Sequence, residues 1–205
     1  VCPAGKMAFK KWCAAEIVQQ AVHKKRLTRI QKTLEISQIP KTWRYKSLEN
    51  LVGQEPLKTA INDYLKHFPK WQNQGRGIYL WSHGSGRGKT HILTAVCRQI
   101  IEKHAVPCIF TTEDHLFLKL RAAFHTPVPA DQSALNVYLQ TDCLFIDDLG
   151  ATKPSAWKTE ILTSILDYRV QNALPTFFTS NYSLPDYQIL IEHSLNLSRP
   201  ERIPS

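Results

Sequence analysis

The run His83-Gly84-Ser85-Gly86-Arg87-Gly88-Lys89-Thr90 constrains this 205-residue chain more than any other stretch. Glycines at alternate positions let a backbone turn tightly, so that successive N–H groups point inward. The loop follows the apolar run Ile78-Tyr79-Leu80-Trp81, short enough for a buried strand, and opens a helix expected from Lys89 to about His104. Strand, glycine-rich turn and helix N-terminus in that order make an anion cradle, because the unpaired N–H groups of the first turn and the positive end of the helix dipole face the loop. Lys89 is placed to reach the β- and γ-phosphates of a nucleotide, and Thr90 to coordinate magnesium. In the G-x-x-x-x-G-K-[ST] pattern the first glycine falls on His83, with Gly84 one place later, so the loop entry differs while Gly86-x-Gly88-Lys89-Thr90 is intact. The expected nucleotide-binding set is Gly84, Ser85, Gly86, Arg87, Gly88, Lys89, Thr90 and His91.

Beyond this loop the chain alternates. A strand is expected at 106–112, helices at about 114–124 and 133–140, a strand at 143–147, a helix at about 155–172 and a strand at 176–180. Strands separated by helices imply a parallel sheet, since parallel neighbours need long crossovers. The strand Cys143-Leu144-Phe145-Ile146 runs into Asp147 and Asp148, at the strand edge where open α/β sheets place their ligands. Two adjacent acids there need a cation or a water network to offset their burial. Asp147 suits a magnesium ion, and Asp148 the orientation or deprotonation of an attacking water. Asn181, closing the strand from Thr176, has an amide able to sense a γ-phosphate or that water; a turn cap is the plainer reading of the same residue.

The charge is unevenly placed. The chain carries 26 Lys and Arg against 17 Asp and Glu, a net +9; residues 1–50 carry 11 against 3, a net +8. From about Ala14 to Ser37, Ile17, Ala21, Val22, Leu27, Ile30 and Leu34 form an imperfect helical stripe with Lys24, Lys25, Arg26, Arg29 and Lys32 between them. Ile39-Pro40 ends this helix. A linker then runs to about Val52, with Trp43, Tyr45 and Leu48 available to pin it, and a further helix spans about Gln54 to His67 before a turn at Gln72–Gly77. With 43% hydrophobic residues and no long apolar run, a collagen-like, mucin-like, wholly disordered or membrane-spanning chain is excluded, and a cytoplasmic setting is expected. Cys97, Cys108 and Cys143 lie in apolar runs and read as core thiols. Cys2 and Cys13, with His23 a distant third, do not make a four-ligand zinc site, so zinc is not expected within this chain.

Four stretches in this order, Gly86-Arg87-Gly88-Lys89-Thr90, Phe145-Ile146-Asp147-Asp148-Leu149-Gly150, Asp167-Tyr168-Arg169 and Leu174-Pro175-Thr176-Phe177-Phe178-Thr179-Ser180-Asn181, resemble the AAA+ ATPases of the DnaI/DnaC helicase-loader group. The resemblance covers about residues 39–191 and is closer to the DnaI side; IstB-type transposition helpers share much of the core. It implies an α/β P-loop NTPase AAA+ core, a parallel β-sheet flanked by helices, with an N-terminal basic helical arm. The implied organisation is an arm at 1–38, a remnant of a zinc or helicase-binding domain, a linker at 39–53 and an ATP-binding domain at 54–205 whose C-terminal closing elements are missing. It also implies ATP and magnesium as ligands, hydrolysis to ADP and phosphate, a replicative helicase and single-stranded DNA as partners, and self-association through AAA+ interfaces. Lys89 and Thr90 take the phosphate and magnesium roles, Asp147 and Asp148 the metal and water roles, and Asn181 the sensor role. Arg202, ahead of Arg199, matches the region supplying an arginine finger in trans, although Pro200 and Pro204 depart from the helix expected there. Arg169 matches a family arginine of either structural or interface use.

Other classes compete for the same loop. A GTPase would need an Asn-Lys-x-Asp element, which is absent. A nucleotide kinase would need an acceptor pocket and an arginine-rich lid, for which Arg98, Arg121 and Arg169 do not cluster in sequence. A module that holds ATP without turnover, tethered by its basic arm, is the non-enzymatic alternative.

Overall fold

In the computed structural model the described residues are 3–124 and 131–196. The chain runs α1 (Pro3–Ile36), a single 3-10 turn (Lys41–Trp43), α2 (Glu55–Lys66), α3 (Phe68–Asn73), β1 (Tyr79–Trp81), α4 (Lys89–His104), β2 (Cys108–Thr112) and α5 (Glu113–Phe124). It continues with α6 (Asp131–Gln140), β3 (Cys143–Leu149), α7 (Ala156–Gln171), β4 (Thr176–Ser180) and α8 (Leu184–Asn196). The four strands form one parallel sheet in the order β1-β4-β3-β2.

Strand parity divides the core in two. Cys143 and Phe145 of β3, Cys108 and Phe110 of β2 and Phe177 of β4 face α1, α2, α3 and α4, whereas Leu144, Ile146, Ile109 and Phe178 face α5, α6, α7 and α8. With both faces covered, β3 reads as a continuous apolar run, as buried parallel strands do. Phe145 and Phe177 stack at 4.2 Å and 4° at the centre of the first layer, and the thiols of Cys97, Cys108 and Cys143 are buried beside them.

The helix expected from Ala14 begins at Pro3, and its apolar stripe is only partly used. Ile30 and Leu34 pack on the core and Thr33 is buried, but Ile17, Val18, Val22 and Leu27 are exposed. The end of α1 is tied to the sheet by Phe110 N–H, which donates to Ser37 O at 2.7 Å, and to α4 by Arg26, which donates to Lys103 O. Within 39–53, Ile39, Leu48 and Leu51 are buried in the same cluster as α4, and Trp43 meets Phe110 edge-on. Tyr45, read as a pin, is 68% exposed and does not serve as one.

Two helices escape the sequence reading. A break at His67 starts α3, which buries Phe68. For α8, Ser183 Oγ accepts from Asp186 N–H and donates to its carboxylate, a capping arrangement with Pro185 in the first turn.

Arg169 of α7 is completely buried, and the nearby Asp142 charge favours its charged form. Its guanidinium donates to the carbonyls of Tyr138, Leu139, Thr141 and Asp142 at and just beyond the end of α6, and to Pro175 O and Thr176 Oγ1 at the start of β4. It thus neutralises the negative end of α6 and joins it to the sheet, a structural use. Burial lowers its pKa to about 10, so it stays charged at neutral pH.

Candidate nucleotide site

Parallel strands put all their C-terminal ends on one edge, and the order β1-β4-β3 sets the phosphate loop, Asn181 and the acidic strand end side by side. Gly84, Gly86 and Gly88 have φ of 78°, 76° and 81°. A Cβ at Gly84 or Gly86 would meet nothing within 4 Å, so these two positions require glycine for conformation rather than for space. The departure from pattern at His83 is therefore absorbed by Gly84, which takes the left-handed turn one residue later. Gly88 caps α4 without a side-chain acceptor, leaving the first N–H groups of the helix for a ligand.

Lys89 is buried, and its ammonium donates to Gly84 O at 2.7 Å, Asn181 Oδ1 at 2.9 Å, and Ser82 O and Oγ at 3.1 Å each. It ties the loop to the ends of β1 and β4. Asp147 shares strand parity with Phe145 and so faces α4, where Thr90 Oγ1 donates to Asp147 Oδ1 at 3.0 Å. Thr179 Oγ1 donates to the same oxygen at 2.5 Å and accepts from Asp148 N–H at 2.8 Å. Sequence reasoning gave Thr179 no role; its parity with Phe177, and hence with Asp147 across the sheet, was the available signal. Burial raises the Asp147 pKa, while the hydroxyls of Thr179 and Thr90 and the nearby Lys46 charge pull it down and the Asp148 charge pushes it up.

Alternation alone would send Asp148 to the other face of the sheet. Between Ile146↔Phe178 and Leu149↔Ser180, β3 spends one residue more than β4, and Asp148 in that bulge has φ of 56°. The bulge re-aims its side chain into the cleft beside the glycine loop. That cleft, about 360 Å³, is lined by Lys46, Ser85 to His91, Asp148 and Asn181. His91 lies at its rim, with Nε2 at 2.8 Å from Ser47 O, and Arg87 O accepts from Gln54 Nε2. The segment before α2 thus braces the loop, which its apparent linker character hid. Arg199 and Arg202, with Pro200 and Pro204, lie outside the described residues, as does Cys2; Cys13 lies on α1.

The donor set fits magnesium better than zinc. Thr90 offers a hydroxyl and Asp147 a buried carboxylate, hard oxygens of the kind that hold magnesium jointly with phosphates. Among the described residues no group of three or more His, Cys, Asp or Glu is placed to hold a metal ion by itself, and no helix is long and apolar enough to cross a membrane.

The parallel sheet, the glycine loop at the end of β1 and the carboxylate opposite its Lys-Thr pair define the AAA+ P-loop fold. The chain belongs to the family of IstB-like ATP binding proteins, whose family model matches residues 5–195. It is similar to the replicative helicase loader DnaI of Bacillus subtilis (strain 168), 32% identical over 137 residues that make up 64% of this chain and 42% of that protein. The replicative helicase loader DnaC of Escherichia coli (strain K12) is 23% identical over 68% of this chain and 55% of its own length. The chain thus spans about two fifths of the DnaI protein and about half of DnaC. Among solved structures, a crystal structure of DnaI superposes with a TM-score of 0.63 and 25% identity over 77% of this chain and 81% of that one. For a crystal structure of the DnaC helicase loader the values are 0.64 and 26%, over 77% and 93%. AMPPCP-bound DnaA from Aquifex aeolicus, 16% identical with a TM-score of 0.57 over 72% of this chain and 48% of that one, shares the fold.

Proposed function

We propose that this chain is an ATP-binding and ATP-hydrolysing switch that acts on a replicative helicase and helps place it on single-stranded DNA. The observation that carries the ATP part is the Lys89 ammonium held between Gly84 O and Asn181 Oδ1, beside an Asp147 carboxylate that already accepts from Thr90. The loader part is supported by the similarity to DnaI and DnaC.

In this reading the loop N–H groups and Lys89 bind the β- and γ-phosphates, and Gly84 to His91 form the cradle. Thr90 and Asp147 hold magnesium, which screens phosphate charge when bound. Asp148, turned into the cleft by the bulge, accepts a proton from the attacking water. Asn181 keeps its Oδ1 on Lys89 and offers its amide N–H groups to the γ-phosphate or to that water, so that hydrolysis is felt at the end of β4. Arg202 acts from a neighbouring copy in a self-associated state.

Purified chain binds ATP in magnesium, and Lys89→Ala abolishes binding; undiminished binding by that variant refutes the nucleotide reading. Helicase-stimulated phosphate release and helicase capture test the partner. The family match favours a second reading, a transposition-helper ATPase, which predicts stimulation by a transposase and duplex DNA in place of a helicase.

A further inference from the structure

One cleft residue belongs neither to the loop and its helix nor to a strand end. Lys46, in the segment between α1 and α2, lines the cleft with Ser85 to His91, Asp148 and Asn181. Its position is fixed on three sides. Its N–H donates to Trp43 O, its carbonyl accepts from Arg98 Nη1 of α4, and the next carbonyl, Ser47 O, meets His91 Nε2. Its ammonium lies 4.0 Å from the centroid of the Trp43 ring, and Trp43 is seated edge-on against Phe110, which stacks on Phe145, two residues before Asp147.

The electrostatics point into the cleft. Partial burial lowers the Lys46 pKa, and Asp147 is the charge that raises it again; Lys46 in turn lowers that of Asp147. Other charged groups around the cleft are Lys89, Arg87 and Asp148, with the Arg98 guanidinium on Glu102 behind it. Lys89 reaches Asn181 and the ends of β1 and β4, whereas Lys46 lies within electrostatic range of Asp147, the carboxylate that the proposed function gives to magnesium.

We infer that Lys46 is a second phosphate-binding lysine of this cleft, contacting the terminal phosphate of a nucleoside triphosphate from the segment that joins α1 to the sheet. The inference rests on the nucleotide reading above and adds a ligand that the loop motif does not contain. An ammonium on a phosphate oxygen makes a charge-assisted hydrogen bond, and its loss weakens binding by about tenfold or more.

The test uses the full chain in excess magnesium, with ATP and ADP carrying a ribose-linked fluorophore, and the variants Lys46→Met, Lys46→Arg and Lys89→Ala. Lys46→Met keeps an aliphatic stem on Trp43 and removes the charge. The expected result is an ATP affinity reduced about tenfold with ADP affinity changed less than about threefold, and most of the ATP affinity restored in Lys46→Arg. Unchanged ATP affinity in Lys46→Met overturns the inference, and so does an equal loss for ATP and ADP, which marks a packing role. Thermal melting of each variant identifies unfolded protein, and Lys46→Arg, which keeps both stem and charge, then decides the question: wild-type ATP-over-ADP preference supports the contact and its loss overturns it. Failure of the underlying reading is distinct, since the wild-type chain then binds neither nucleotide and the inference falls with it.

Discussion

Replacing Arg169 by Met removes a buried charge and its fork of donors while keeping an unbranched apolar stem. Five carbonyls, of Tyr138, Leu139, Thr141, Asp142 and Pro175, and the Thr176 hydroxyl lose their partner inside a closed core. At about 1 kcal/mol for each hydrogen bond, with some carbonyls finding other donors, the expected loss is about 3–5 kcal/mol. That is a large part of the roughly 5–15 kcal/mol that stabilises a domain, and at about 2–4 °C per kcal/mol for this size it lowers the melting temperature by about 10 °C. Urea unfolding followed by circular dichroism measures it, as a lower midpoint with unchanged slope. Arg169→Lys keeps the charge but has no planar fork, and falls between the two. A loss below about 1 kcal/mol in Arg169→Met refutes the account. An unchanged midpoint with weakened self-association moves Arg169 to a subunit interface instead.

Asp147→Asn keeps an oxygen for Thr90 and Thr179 but removes the charge that burial disfavours, and is expected to raise nucleotide-free stability by about 1 kcal/mol at pH 7.5 while losing magnesium-dependent ATP binding. Because the folded-state pKa of Asp147 is raised, the stability it contributes is present below the ordinary carboxylate value and is lost as pH rises through the folded value; the variant's advantage over the wild type therefore grows with pH over that window, and melting curves from pH 4 to 8 check it. Asp148→Gly relieves a left-handed side chain, so it melts at least as high as the wild type, binds ATP and releases no phosphate in a turnover assay. If the proposed single-stranded DNA contact runs through Lys24, Lys25, Arg29 and Lys32 of α1, the expected log–log salt slope is about −3, and Lys25→Gln with Arg29→Gln flattens it by about 1.4 in anisotropy titrations; a slope unchanged by that pair places the contact elsewhere.

The strands and the phosphate loop were legible because buried parallel strands are apolar runs and because Gly84, Gly86 and Gly88 can be counted. Lys89, Thr90, Asp147 and Asn181 converge because parallel strands end on one edge, which the alternation of elements implies, and because β4 lies between β1 and β3, an order that alternation does not specify. Asp148 reaches the same cleft through a bulge, and one inserted residue has no periodicity to betray it. The segment around Ile39, Leu48 and Leu51 read as a linker since isolated apolar residues without a repeat do not announce burial. Conversely, Ile17, Val18, Val22 and Leu27 show that an apolar stripe on a helix need not meet a core.

The extra residue in β3 makes its two neighbouring acids obey different rules of inheritance. At 147 the backbone is ordinary strand, so a side chain of similar size keeps the path of the chain and changes only the charge and the acceptor that Thr90 and Thr179 share. At 148 the left-handed backbone tolerates Asp, Asn or Gly and strains a β-branched residue. Deleting 148 would restore an unbroken ladder with Leu149 still opposite Ser180, and would remove both the acid that lines the cleft and the N–H that donates to Thr179 Oγ1. Position 147 is thus constrained by the charge and the two hydroxyls its carboxylate serves, and position 148 by its backbone as well.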